Sequence, residues 1–289
     1  MDPDLIVDPK IKQRLVEGGM DDLLATHFAH LFIRDPIVIF SEDLKTLDLN
    51  KTDHFENLQS TNWQHMRFKP PPASNDIGWR VEFRSMEIQM TDFENAAFSI
   101  FIVLITRAIL SFDLNLYIPI SRTTENMETA HIRDAVNTQK FYFRKNPFPE
   151  HTRDTSGTST PAQVSRPGTP LGAVEDEYCL MTIDEIVNGQ NDGFPGLIPL
   201  VESYLNSVNV DVETRCELAR YLSLIRGRAS GKLWTGAKWI REYVRNHEDY
   251  AKDSAVGEKI CYDLVKVVET LTNEEGKGRA VAREMFKST

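Results

Sequence analysis

The sequence predicts an α+β protein with a largely helical second half, and three observations lead there. Two segments before residue 90 have strand character, one long apolar helix follows them, and from Tyr178 onward the pattern is almost wholly helical. With 289 residues the chain has room for one large domain or two modest ones. Composition divides it into residues 1–145, a Ser/Thr/Pro-rich insert over 146–177, and a helical region over 178–289.

In order along the chain, Ile11, Leu15, Met20, Leu23, Leu24, His27, Phe28 and Leu31 recur at three- and four-residue spacings. They predict a helix over 9–34, closed by Pro36. An acidic loop over 41–54 precedes a strand over 63–69, which stops at Pro70-Pro71-Pro72 because proline has no N–H for a ladder. A second strand is expected over 78–90. Thr91-Asp92-Phe93-Glu94 fits a capping box, so a helix should run from Thr91 to about Phe112. Its apolar run, Ala96 to Ile105, is stopped by Arg107. A membrane span needs roughly 20 apolar residues, so this is expected to be a buried helix. Residues 125–136 read as helix and 141–143 as a short strand. In the insert, prolines 147, 149, 161, 167 and 170 sit among Ser, Thr and Gly, which predicts a flexible linker. Helices are then expected over 182–188, 196–206, 211–227, 235–246 and 254–273.

Charge narrows the function classes. Lys and Arg number 33 against 43 Asp and Glu, a net charge of −10. Such a chain has no global attraction for nucleic acid or anionic lipid, so any phosphate site must be local. Cys179, Cys216 and Cys261 are far apart and odd in number, with no CxxC. That argues against a disulfide framework or a zinc site and suits a reducing cytoplasm. The start, Met-Asp-Pro-Asp, has neither the basic nor the apolar region of a signal peptide. Gly227-Arg-Ala-Ser-Gly231-Lys232 has three residues where a P-loop has four between glycines, and Leu233 replaces the needed Ser/Thr. His27 and His30 lie one helical turn apart without a third ligand, which reads as packing.

The informative segment begins at Trp79. In a strand, side chains alternate faces, so Trp79, Val81 and Phe83 share one and Arg80, Glu82 and Arg84 the other. Met86, Ile88 and Met90 then fall on the charged face, so the apolar phase flips near Ser85. A flip implies a bulge, or a strand buried on both sides whose first half lines a polar cavity. An Arg-Glu-Arg row offers a hard carboxylate for Mg²⁺ flanked by guanidiniums for phosphate. The competing reading, which periodicity alone favours, is a solvated face with cross-strand ion pairs. His65, Arg67 and Lys69 make the preceding strand basic on one face. Together the strands form a local positive site, better suited to polyphosphate plus metal than to nucleic acid.

Longer runs carry a resemblance: Asp53-His-Phe-Glu-Asn57, Gln59-Ser-Thr-Asn-Trp-Gln64, Met66-Arg-Phe-Lys-Pro-Pro-Pro72, Gly78-Trp-Arg-Val-Glu-Phe-Arg84 and Thr91-Asp-Phe-Glu-Asn95. With Tyr117-Ile-Pro-Ile120, Phe141-Tyr-Phe-Arg-Lys145, Phe194-Pro-Gly-Leu-Ile-Pro199 and Asp211-Val-Glu-Thr-Arg-Cys216, the chain resembles eukaryotic glutamate–cysteine ligase, and the Ser/Thr-Pro character of the insert fits a fungal relative. The similar region is the C-terminal portion of the catalytic subunit. The resemblance implies part of a glutamine synthetase-like catalytic fold. It also implies ATP-dependent joining of L-glutamate to L-cysteine through γ-glutamyl phosphate, giving γ-glutamylcysteine, the first step of glutathione synthesis. By position, Glu82 is implied as a Mg²⁺ ligand and Arg84 as a catalytic contact to the transferring phosphoryl group or glutamate. Arg80, Arg67 and Lys69 are implied phosphate or substrate contacts. Family members are more than twice this length, so the chain is expected to be truncated and inactive alone. The implied partners are the three substrates, with the N-terminal half, a full-length subunit or a modifier subunit, and neither nucleic acid nor membrane. The alternative from another class is a non-catalytic helical module or regulatory fragment that binds a full-length ligase subunit.

Overall fold

The computed structural model describes residues 5–34, 41–42, 45, 66–69, 71, 76–148 and 177–273. The chain forms two compact units, residues 1–87 and 88–289.

The first unit opens with α1 (Pro9–Glu17) and α2 (Asp22–Arg34), which pack together. Asp8 caps α1, its Oδ1 accepting from the N–H groups of Lys10 and Ile11 at 2.8 and 3.0 Å. The single helix expected over 9–34 is therefore two. It breaks at Gly18-Gly19, where Gly19 adopts φ +97°, a conformation open to glycine at little cost. The N–H groups of Gly19 and Met20 turn back to the carbonyls of Val16 and Leu15 at 2.9 and 3.1 Å. Asp21 then recaps the chain, accepting from Leu24 N–H at 3.0 Å. Apolar spacing continues through the break, and Ala25, Phe28 and Ala29 of α2 are buried.

Strands β1 (Met66–Lys69) and β2 (Arg80–Phe83) pair antiparallel, with Met66 opposite Phe83 and Lys69 opposite Arg80. The strand expected over 78–90 is thus much shorter. The phase change near Ser85 marks neither a bulge nor burial on both sides, because β2 has already ended at Phe83. Trp79, Val81 and Phe83 are 56, 47 and 43% exposed. Residues 63–65 and most of the 41–54 loop lie outside the described residues.

The second unit contains α3 (Asp92–Phe112), α4 (Ile120–Ala130), α5 (Ala135–Thr138), β3 (Phe141–Arg144) and β4 (Tyr178–Met181). It continues with α6 (Ile183–Asn188), α7 (Leu197–Ser207), α8 (Val212–Ala229), α9 (Gly236–Asn246) and α10 (Glu258–Asn273). The capping box of α3 is formed: Glu94 N–H donates to Thr91 Oγ1 at 3.3 Å, and Thr91 N–H donates to Glu94 Oε2 at 3.1 Å. Ala97, Phe101, Ile105 and Ala108 make a helical stripe, buried against Ile198, Val201 and Leu205 of α7 and Leu222, Ile225 and Ala229 of α8. By length and hydropathy α3 passes for a membrane span, but this stripe is core, while Val103 and Leu110 face outward.

The helix expected over 125–136 runs instead over 120–130. Asp134, at φ +57°, then turns the chain into the short α5. β3 and β4 pair antiparallel, Phe141 opposite Met181 and Arg144 opposite Tyr178. β4 falls where helical pattern was expected, because its strand state comes from pairing with β3. The 146–177 boundary accordingly falls inside the second unit, whose two-stranded sheet joins its flanks. Residues 149–176 of that insert lie outside the described residues. Behind the sheet, Phe141, Met181, Ile186, Phe194 and Leu200 form a second apolar cluster with Leu114.

One ion pair links the start of α3 to the end of α8. Glu94 Oε1 meets Arg228 Nη2, with side chains only 5 and 7% exposed. Burial pushes the Arg228 guanidinium down from its ordinary value, and Glu94 opposes that shift. Removing one partner of a buried pair strands a charge and costs about 3–5 kcal/mol, whereas replacing both by apolar groups of similar volume is often near neutral. Glu94→Ala is therefore expected to lower stability by about that amount, and Glu94→Leu/Arg228→Met by clearly less. Denaturant unfolding of the three proteins checks this. Equal losses in both variants would show that Glu94 contributes mainly through its cap.

Candidate functional site

The site grows from the hairpin of the first unit. Alternation along β2 sends Arg80 and Glu82, and Arg84 just past its end, to the same side. In the ladder Glu82 stands opposite Arg67, while Lys69 stands opposite Arg80. Lys69 is thus diagonal to Glu82, within reach of a long side chain. Its Nζ meets Glu82 Oε2, and Arg84 Nε donates to Glu82 Oε1 at 2.5 Å. Glu82 is a hub with a cation on each oxygen. Lys69, Glu82 and Arg84 are 30, 34 and 31% exposed, so the cluster remains open to a ligand.

Hydrogen bonding from Lys69, then from Arg84, holds the Glu82 carboxyl at about 2, well below its ordinary 4.5. Glu82 is therefore ionised throughout the neutral range. The structure places Glu82, Arg84 and Lys69 together. It places Arg80 exposed on the same strand and the backbone of Arg67 across the ladder from Glu82. His65 lies outside the described residues. The diagonal contact of Lys69 was not readable from sequence, since it depends on register. The basic face that sequence shows at Arg67 and Lys69 was the nearest signal.

As a ligand for Mg²⁺, Glu82 has the right donor chemistry, a hard and fully ionised oxygen. One carboxylate does not make a centre. Mg²⁺ takes about six oxygens, and among the described residues no three His, Cys, Asp or Glu side chains gather. The cluster holds one carboxylate among cations, with both Glu82 oxygens engaged by Lys69 and Arg84.

The rejected motifs are placed as well. Gly227 lies inside α8, where a Cβ would stand 2.5 Å from Leu233 Cδ1, and α8 ends at Ala229 before a turn at Gly231 with φ +71°, so the first glycine is packed in a helix and not in a phosphate loop. His30 Nδ1 donates to the Ile6 carbonyl at 2.8 Å, and burial lowers the His27 imidazole, with His30 adding to the effect.

The family model for glutamate–cysteine ligase matches residues 1–271. The chain belongs to the glutamate–cysteine ligase family. It is 65% identical to the glutamate–cysteine ligase of Neurospora crassa over 97% of this chain and 42% of the relative. It is 51% identical to the human glutamate–cysteine ligase catalytic subunit, over 94% and 42% respectively. With the Schizosaccharomyces pombe enzyme it shares 48% identity, over 94% and 38%. The chain thus spans about two-fifths of the length of these curated relatives.

The Glu82 hub has a pH signature. Its depressed value means that its ion pairs contribute fully above pH 4.5 and are lost as pH falls through about 2. NMR titration of the Glu82 carboxyl should give a midpoint near 2, and Lys69→Ala or Arg84→Ala should each move it upward. An unchanged midpoint in both variants would show that the clamp does not set the charge.

Proposed function

We propose that this chain is the C-terminal part of an ATP-dependent ligase that joins L-glutamate to L-cysteine within a glutamine synthetase-like fold. The observation that carries the reading is the Glu82 hub: an ionised carboxylate fixed between Lys69 and Arg84 in a chain of this family. The γ-carboxylate oxygen of glutamate attacks the terminal phosphorus of ATP and displaces ADP. The cysteine amine then attacks the acyl carbon, phosphate leaves, and the nitrogen gives up a proton. Both steps gather negative charge on phosphoryl oxygens, and opposing that charge is the main catalytic task.

Arg84 is the residue assigned to the transferring phosphoryl group or the glutamate. Arg80, Arg67 and Lys69 supply further positive charge along the same hairpin. Glu82 keeps Lys69 and Arg84 ordered before substrate arrives, so less ordering cost falls on binding. Mg²⁺, when bound, would neutralise phosphate oxygens, and Glu82 would be one of its ligands.

A second reading, a non-catalytic module that binds the rest of a ligase, a full-length subunit or a modifier subunit, is favoured by a separate observation. The Trp79, Val81 and Phe83 face of β2 is about half exposed, which is unusual for large apolar side chains on a strand.

Two measurements separate these readings. In a full-length ligase carrying this region, Glu82→Gln should lower turnover by about 100-fold or more with the melting temperature nearly unchanged. Normal turnover and normal Mg²⁺ dependence in that variant would end the assignment. The 289-residue chain alone should form no γ-glutamylcysteine from glutamate, cysteine and MgATP. Robust turnover by the isolated chain would overturn its place as a dependent part.

A further inference from the structure

At the C-terminal end of α9 the second unit carries a hollow of about 500 Å³ that shares no residue with the Glu82 hairpin. Trp239, Tyr243 and His247 line it at i, i+4 and i+8, with successive ring centroids 5.6 and 5.9 Å apart. Trp234, just before the N-cap Thr235, adds a fourth ring. Trp239 is anchored in a small core with Leu271, Leu264, Val267 and Val268 of α10, so the wall is fixed by packing. His247 is fixed as well: its Nδ1 accepts the Asp249 N–H at 3.2 Å, and its Nε2 faces Asp263 Oδ2 at 3.2 Å.

Three independent features make this hollow negative. A ring face met by a ligand presents the negative part of its quadrupole, and Trp234, Tyr243 and His247 are partly exposed while Trp239 is buried behind them. The lining holds Glu242 and Glu248 and no Lys or Arg, with Arg245 beside Glu242 and Lys259 of α10 within the field of Glu248. α9 ends at Asn246, so the negative end of its dipole lies at the rim. The chain already uses the same chemistry nearby, where Lys238 Nζ stands 5.5 Å from the centroid of the Trp234 ring. Arg245 approaches Glu242 at 3.7 Å with half its side chain in solvent, a pairing weak enough to yield to a better-placed cation.

We propose that this hollow binds a small organic cation, an ammonium or guanidinium head on a short apolar stem. The rings cover the stem, and Glu242 and Glu248 receive the head. Nucleotides and other anions are turned away by the same field. The volume lies within the range of pockets for small ligands and exceeds what a bare metal ion needs.

The test uses the 289-residue chain with butylammonium and butylguanidinium as probes, 1-butanol as the neutral counterpart, and sodium chloride to hold ionic strength constant. Binding is read from the His247 ring and tryptophan indole resonances. Both cations are expected to give saturable shifts in the millimolar range, and 1-butanol is not. Glu242→Gln/Glu248→Gln removes charge without touching the packed ring wall and should weaken binding at least about tenfold with unchanged unfolding. The absence of saturable shifts, an equal response to 1-butanol, or full affinity in the double variant would each overturn the proposal. None of these readouts involves ligation, so the outcome is independent of the function proposed for the hairpin.

Discussion

Glu94 uses its two oxygens for two kinds of order. Oε2 returns to the N–H and hydroxyl of Thr91 and starts α3, while Oε1 reaches across to Arg228 at the far end of α8. A local helix signal is thereby joined to a contact 134 residues away in sequence. The pairing fixes which end of α8 lies beside the start of α3, and hence which faces meet. Once that is set, the Ala97–Phe101–Ile105–Ala108 stripe has a defined partner surface in α7 and α8. Apolar burial supplies most of the stability of such a core, but it is not directional. A buried ion pair is, and here it constrains where the apolar faces can slide.

The Glu82 hub shows the opposite use of charge. It lies open to solvent, and exposed pairs contribute little to stability. What the cations do instead is keep a carboxylate ionised and in place. The Glu94–Arg228 pair therefore organises a core, while the Glu82 hub keeps charge fixed at a surface.

Legibility followed sequence distance. The start of α3 was readable to the residue, because Thr91 and Glu94 satisfy each other within one turn. The Arg80, Glu82 and Arg84 row was readable because alternation along a strand is local. Gly18-Gly19 was passed over because apolar spacing continued through the break. β4 was not readable: nothing in Tyr178-Cys179-Leu180-Met181 demands a strand until Phe141-Tyr142-Phe143 lies beside it. The phase flip near Ser85 was read as a bulge or as burial on both sides for the same reason. Apolar residues after Ser85 suggested a continuing strand, whereas the chain had already left the ladder.

The β3–β4 ladder also brings the two flanks of residues 149–176 side by side. Lys145 N–H donates to the Glu177 carbonyl at 2.9 Å, and Arg144 Nη1 meets the Glu177 carboxylate at 2.7 Å, so the flanks are tied at these residues. Closing a loop becomes only slowly more unfavourable with length, by about 0.6 kcal/mol for each doubling. A change of length between the two flanks would be felt first at Lys145 and Glu177, whereas the packing of α3, α7 and α8 rests on other residues.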